Sequence, residues 1–216
     1  MGRTIYIIVE GDTEEHFVKN ILSEYFLPLN IYLKPILIAT SRTPHKKYKG
    51  GLTSYGKIKR DIERVIRNGD CHRVTTMVDY YRLPDDFPGT KTLPGRDVYT
   101  KVKYLETRWK EDIGSYKFIP YIQIHEFEAL LFSDIRGFEI TFPDKKNEFY
   151  EILNRFSNPE EIDDGAETAP SKRIKKIVPG YSKVVDGISI AEETGLEIML
   201  EKCKHFREWI EMLKSS

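Results

Sequence analysis

The sequence holds only two cysteines, Cys71 and Cys203, and neither stands in a CxxC pair or a zinc-ligand spacing. That excludes a disulfide-stapled secreted scaffold and a cysteine zinc site, and it suits a reducing, cytoplasmic setting. No stretch approaches the roughly 20 apolar residues of a membrane span. The Met1-Gly2-Arg3-Thr4 start lacks the apolar run of a signal peptide, so the chain reads as an intracellular protein. Net charge is missing too: 34 Lys and Arg balance 34 Asp and Glu. No global field draws nucleic acid, and any polyanion site must come from local segregation of charge. Neither a nucleophile motif nor a Gly-rich phosphate loop appears, which argues against a phosphatase-type enzyme.

What is present is core-forming material. Hydrophobic residues make up 40% of the 216, with 13 Tyr and 11 Phe, enough to fold without staples. Ile5-Tyr6-Ile7-Ile8-Val9 is continuously apolar, as in a strand covered on both faces, and it runs into Glu10-Gly11-Asp12-Thr13. Phe17, Ile21, Leu22 and Tyr25 then recur at helical spacing, with Thr13 or Asp12 as the expected N-cap. A second apolar run spans 31–38. A helix with Ile58, Ile62, Val65 and Ile66 on one stripe follows, and then a strand, 74–78, that meets Asp79. A helix is expected from Val98 to Trp109, and a strand from Phe118 to Ile124 that meets His125-Glu126-Phe127-Glu128. Beyond Asp134 helical patterns dominate. Phe149, Ile152, Leu153 and Phe156 share one face, and Leu196, Met199, Cys203, Phe206, Ile210 and Leu213 stripe a final helix. The alternation predicts an α/β fold, an open and mainly parallel sheet flanked by helices, with a helical C-terminal part. The expected division is 1–135 and 136–216.

Ligands of open parallel sheets bind outside the carboxyl ends of the strands. Glu10, Asp79 and Glu126 stand at three such ends, and convergent carboxylates repel one another unless protonated or bound to a metal. Hard oxygen donors of this kind suit Mg²⁺ or Mn²⁺. His125, beside Glu126, is a candidate ligand or acid/base, although a histidine at a strand end is more often a hydrogen-bonded structural residue. His16 and both cysteines read as structural. Residues 41–60 hold seven cations, among them Arg42, Lys46, Lys47, Lys49 and Lys57, without one acid. This segment is the candidate nucleic-acid contact, with Tyr48 or Tyr55 stacking on unpaired bases.

Ile7-Ile8-Val9-Glu10-Gly11-Asp12-Thr13-Glu14 resembles the opening motif of Toprim domains, closest to nucleases of the overcoming-lysogenisation-defect type. Three further segments resemble a Toprim-like family of unknown function numbered 4276: 76–81 with Asp86-Phe87-Pro88-Gly89, 123–132, and Ala169-Pro170-Ser171-Lys172-Arg173. The resemblance implies a Toprim-like Rossmannoid sheet, Mg²⁺ or Mn²⁺ held by acidic residues, and cleavage of phosphodiesters in DNA or RNA. It also implies a place in phage-defence clusters beside a partner ATPase encoded nearby.

By the same resemblance Glu10, Glu14, Asp79 and Lys172 are catalytic, with Glu10 and Asp79 as metal ligands and Lys172 facing the phosphate. Glu126 or Glu128 would add a further metal ligand. Tyr81 stands where the second aspartate of the family's Asp-x-Asp pair is usual, with Asp85 or Asp86 as substitutes from the loop. That departure favours a one-metal site over a two-metal one, and two expectations stay open: a metal-dependent nuclease, and a catalytically silent module that binds nucleic acid or a partner ATPase.

Overall fold

The computed structural model describes residues 2–38, 52, 54–95, 97–162, 165 and 168–216. Arg42, Lys46, Lys47, Tyr48 and Lys49 lie outside the described residues. The chain forms two compact units, residues 1–122 with Ser216, and residues 123–215.

In the first unit β1 (Arg3–Val9), β2 (Ile31–Leu37), β3 (Arg73–Asp79) and β4 (Phe118–Ile119) build one sheet in the order β2-β1-β3-β4, and β5 (Ile122–Gln123), at whose first residue that unit ends, also pairs β3. The pairings of β1 with β2, β1 with β3 and β3 with β4 are parallel. The continuously apolar β1 is central, and Ile5, Ile7, Ile8 and Val9 have no exposure at all. β2, at the end of the order, instead alternates at its start, with Ile31 and Leu33 buried and Tyr32 and Lys34 exposed. The expected 118–124 strand is split because Pro120 has no N–H to give the ladder. Thr76 repairs the gap: its Oγ1 donates to the Tyr121 carbonyl at 2.8 Å and accepts from the Tyr121 amide at 3.0 Å.

The expected first helix is a composite of α1 (Asp12–Phe17), a π-turn (Val18–Leu22) and α2 (Ser23–Phe26). The wider turn shifts the buried stripe to Phe17, Val18, Leu22 and Phe26, leaving Ile21 and Tyr25 half-buried. Gly11, not Thr13 or Asp12, is its N-cap. α3 (Tyr55–Ile66) follows its sequence stripe, and α4 (Val98–Ile113) begins where expected and runs on past Trp109. Tyr55 is not a base-stacking residue. It is buried, edge-on to Phe87 at 5.4 Å, in a chain that continues to Trp109 and Phe118. Its hydroxyl donates to Asp112, and burial raises its pKa.

The second unit is helical: α5 (Glu128–Leu131), α6 (Arg136–Thr141), α7 (Lys146–Leu153), α8 (Pro170–Ile177), α9 (Asp186–Thr194), α10 (Leu196–Lys202) and α11 (Lys204–Ser215). The sheet-plus-helices architecture and the helical C-terminal region make this an α/β fold. Phe138 stacks on Phe149 at 4.1 Å and packs on Phe132 at 4.8 Å. α6 meets α9 through Gly137, where a Cβ would lie 2.5 Å from the Ile190 carbonyl. The single final helix expected from the stripe is two, broken at Cys203, where the backbone leaves the helical region (φ −103°, ψ 97°). All six stripe residues are buried nonetheless. Among the described residues no helix is long and apolar enough to cross a membrane.

Candidate functional site

The chain passes from β1 to β2 on one side of the sheet and then crosses back to β3 on the other, so the strand order reverses between β1 and β3. Doubly wound sheets bind ligands at such a switch point, outside the carboxyl ends of the two strands. Glu10 follows β1 directly and Asp79 ends β3. The two are joined there: the Asp79 amide donates to Glu10 Oε1 at 3.3 Å. Glu10, Asp79 and Glu14 are 9%, 5% and 8% exposed, so all three carboxylates are withdrawn from bulk water. Glu14 lies on the first turn of α1, its Oε2 only 3.3 Å from where a Cβ on Gly11 would sit. A side chain at position 11 would therefore crowd this carboxylate.

The loop after β3 takes a different course from the one its aspartates suggest. Tyr81 sits in a 3-10 turn, Tyr80–Arg82, and is 42% exposed. Asp86 Oδ1 accepts the Tyr55 amide at 3.0 Å, so this carboxylate caps α3, whose own N-cap Ser54 makes no side-chain bond. Asp85 is exposed, and its carbonyl accepts from Thr90 Oγ1.

The second unit holds a separate acidic pair. Glu126 and Glu128 are 2% and 0% exposed. The Ser171 amide, at the start of α8, donates to Glu126 Oε1 at 2.5 Å, which joins the 123–132 segment to the Ala-Pro-Ser-Lys-Arg segment. Lys183 Nζ lies 2.6 Å and 2.8 Å from the two Glu128 oxygens and 3.6 Å from Glu126 Oε2. This pair thus has a protein cation between its members. His125 takes a left-handed backbone (φ 61°), is buried, and its Nε2 donates to the Glu160 carbonyl at 3.0 Å. The Glu160 carboxylate, fully buried, accepts the His205 and Phe206 amides at 3.1 Å each and so caps α11. Lys172 is exposed on α8, and Lys57 is half-buried on α3.

Among the described residues no group of three or more His, Cys, Asp or Glu side chains is arranged to hold a metal ion. Mg²⁺ needs less from a protein than a closed cage: one or two carboxylates suffice when waters and substrate phosphates complete the octahedron. Glu10 and Asp79, two buried hard-oxygen donors at neighbouring strand ends, the Glu10 carboxylate held by the Asp79 amide, fit that requirement.

Residues 9–214 match the profile of a family described as a Domain of unknown function (DUF4276). The chain belongs to this family. No curated protein and no solved structure matches it. The DUF4276 match takes in both acidic groups, from Glu10 and Asp79 to Glu126 and Glu128.

Within the DUF4276 domain, sequence reasoning missed Lys183 and Glu160. Neither lies in a periodic pattern. The one available signal for Lys183 was that a carboxylate flanked by Phe127, Ala129, Leu130 and Leu131 must be buried and needs a counter-charge.

Glu128 has a measurable consequence. Burial pushes its pKa up to about 7, with the Lys183 ammonium pulling it back and Glu126 pushing it further. A carboxyl whose pKa rises on folding stabilises the fold fully below its unfolded value, about 4.5, and loses that contribution as pH climbs through 7. At about 1.4 kcal/mol per pH unit, the wild type is expected to lose on the order of 3 kcal/mol relative to Glu128→Gln across that window. Urea melts at pH 4.5, 6 and 8 check this. Parallel stability curves would show that Glu128 does not titrate differently on folding.

Proposed function

We propose that this DUF4276 protein is a Mg²⁺- or Mn²⁺-dependent phosphodiesterase of the Toprim kind, acting on DNA or RNA. The observation that carries the reading is the buried Glu10–Asp79 pair at the β1/β3 switch point. Support also comes from the Glu10-Gly11-Asp12-Thr13-Glu14 motif directly after a central parallel strand.

Glu10 and Asp79 would hold the cation. When bound, it supplies Lewis-acid polarisation of a phosphoryl oxygen and a lowered pKa for a coordinated water. The Asp79 amide holds Glu10 Oε1 in place, so the carboxylate is oriented before any ligand arrives. Glu14, one turn into α1, is the carboxylate assigned to proton transfer. The motif resemblance extends the proposal to an effector or accessory role in a prokaryotic defence system, with a partner ATPase.

The test is incubation of the wild type and Asp79→Asn with supercoiled plasmid, single-stranded DNA and tRNA, in Mn²⁺, Mg²⁺ and EDTA. Metal-dependent cutting of at least one substrate is expected, reduced about 100-fold or more in the variant. If nothing is cut, the nuclease reading fails. The alternative is then a silent module that binds nucleic acid or a partner ATPase, which Tyr81 in the usual place of the second aspartate favours.

A further inference from the structure

The eight residues of α8 include Lys172, Arg173, Lys175 and Lys176 and no acid. At 3.6 residues per turn, Lys172, Lys175 and Lys176 fall within an arc of about 100°. All three are exposed, while Ser171 and Ile174 on the other side are buried. Elsewhere in the second unit, Lys145, Lys146, Lys183, Lys202, Lys204 and Lys214 each lie within 4.0 Å of a carboxylate. The three lysines of α8 make no such ion pair among the described residues. In a chain with as many acids as bases, this face keeps its like-charge repulsion unrelieved.

We propose that this lysine face of α8 binds the phosphate backbone of a nucleic acid, with Lys175 and Lys176 as its principal contacts. The proposal deepens the phosphodiesterase reading by assigning a substrate-binding surface, and it rests on that reading only for the cleavage of the bound strand. The helix N-terminus is not the anion site, because the Ser171 amide already holds Glu126. Three cations spread over little more than one turn match successive phosphates rather than a single small anion. A membrane surface is the poorer fit, since interfacial helices bury a wide apolar face in lipid, whereas Ile174 is spent on the protein's own core.

The experiment is anisotropy of labelled single-stranded and duplex DNA and of a labelled RNA, in EDTA, over a range of salt. It compares the wild type with Lys175→Gln/Lys176→Gln and with Lys145→Gln/Lys146→Gln. The last pair makes the same charge change at ion-paired lysines. Flotation with phosphatidylserine vesicles runs alongside. The α8 variant is expected to bind about tenfold more weakly, and its slope of log K against log salt to be shallower by about 1.4–1.8. The control should stay within about twofold of the wild type, and all three proteins should melt alike, since surface ion pairs contribute little.

Unchanged binding by the α8 variant would overturn the proposal, as would equal losses in both variants or no polynucleotide binding by the wild type. Vesicle binding lost only in the α8 variant would overturn it in favour of a lipid surface. EDTA removes cleavage from the measurement, so failure of the nuclease reading leaves this result intact. A protein that cuts DNA while its α8 variant binds normally defeats this inference alone.

Discussion

Glu10→Gln is expected to lower metal-dependent cleavage by at least about 10³-fold, close to 4 kcal/mol of transition-state stabilisation, while melting within a few degrees of the wild type. The substitution exchanges a charged oxygen donor for a neutral amide, which is a poor ligand for a hard cation. It keeps an acceptor oxygen in the same place, so the bond from the Asp79 amide survives and β1 and β3 stay tied at their carboxyl ends. Single-turnover cleavage rates in Mn²⁺ and calorimetric Mn²⁺ titration measure the two consequences separately. A variant that keeps more than a tenth of wild-type activity would remove Glu10 from the site. A variant that binds Mn²⁺ normally but does not cut would assign Glu10 to proton transfer instead.

The largest effect on stability is expected at Glu160, outside the proposed chemistry. Its fully buried carboxylate accepts two amides at the start of α11. Glu160→Ala leaves both donors buried without partners and removes a negative charge from the positive end of a helix dipole. The expected cost is about 3–4 kcal/mol, or a fall in melting temperature of about 10 °C for a chain of this size. Glu160→Gln retains one acceptor and should cost roughly half as much. Thermal unfolding followed by circular dichroism checks the order wild type, Gln, Ala. An Ala variant that melts within 2 °C of the wild type would show that α11 is capped by something else.

The elements legible in the sequence were those whose burial follows a period. β1 read as a continuous apolar run because it is covered on both faces, β3 as a short strand running into Asp79, and α3 from its stripe. The misread elements were altered by local chemistry that periodicity does not record. Pro120 split a strand that its apolar neighbours made continuous, Cys203 broke a helix without interrupting the buried stripe, and the π-turn moved the face of the first helix. Glu10 and Asp79 were legible as site candidates because each ends a central strand. The roles of Asp86, Lys183 and Glu160 were not, because their partners lie 31, 55 and 45 residues away in sequence. A carboxylate that caps a distant helix and one that awaits a cation look alike in a linear sequence.

Pro35 lies in β2, the terminal strand of the described sheet, paired in register with Ile7. A strand from another molecule arriving at that rim would need a continuous row of donors and acceptors. Proline supplies no donor, and Lys34 beside it would have to shed its hydration. The rim is thereby a poor template for polymerisation, which matters most while the chain is newly made and crowded by identical copies.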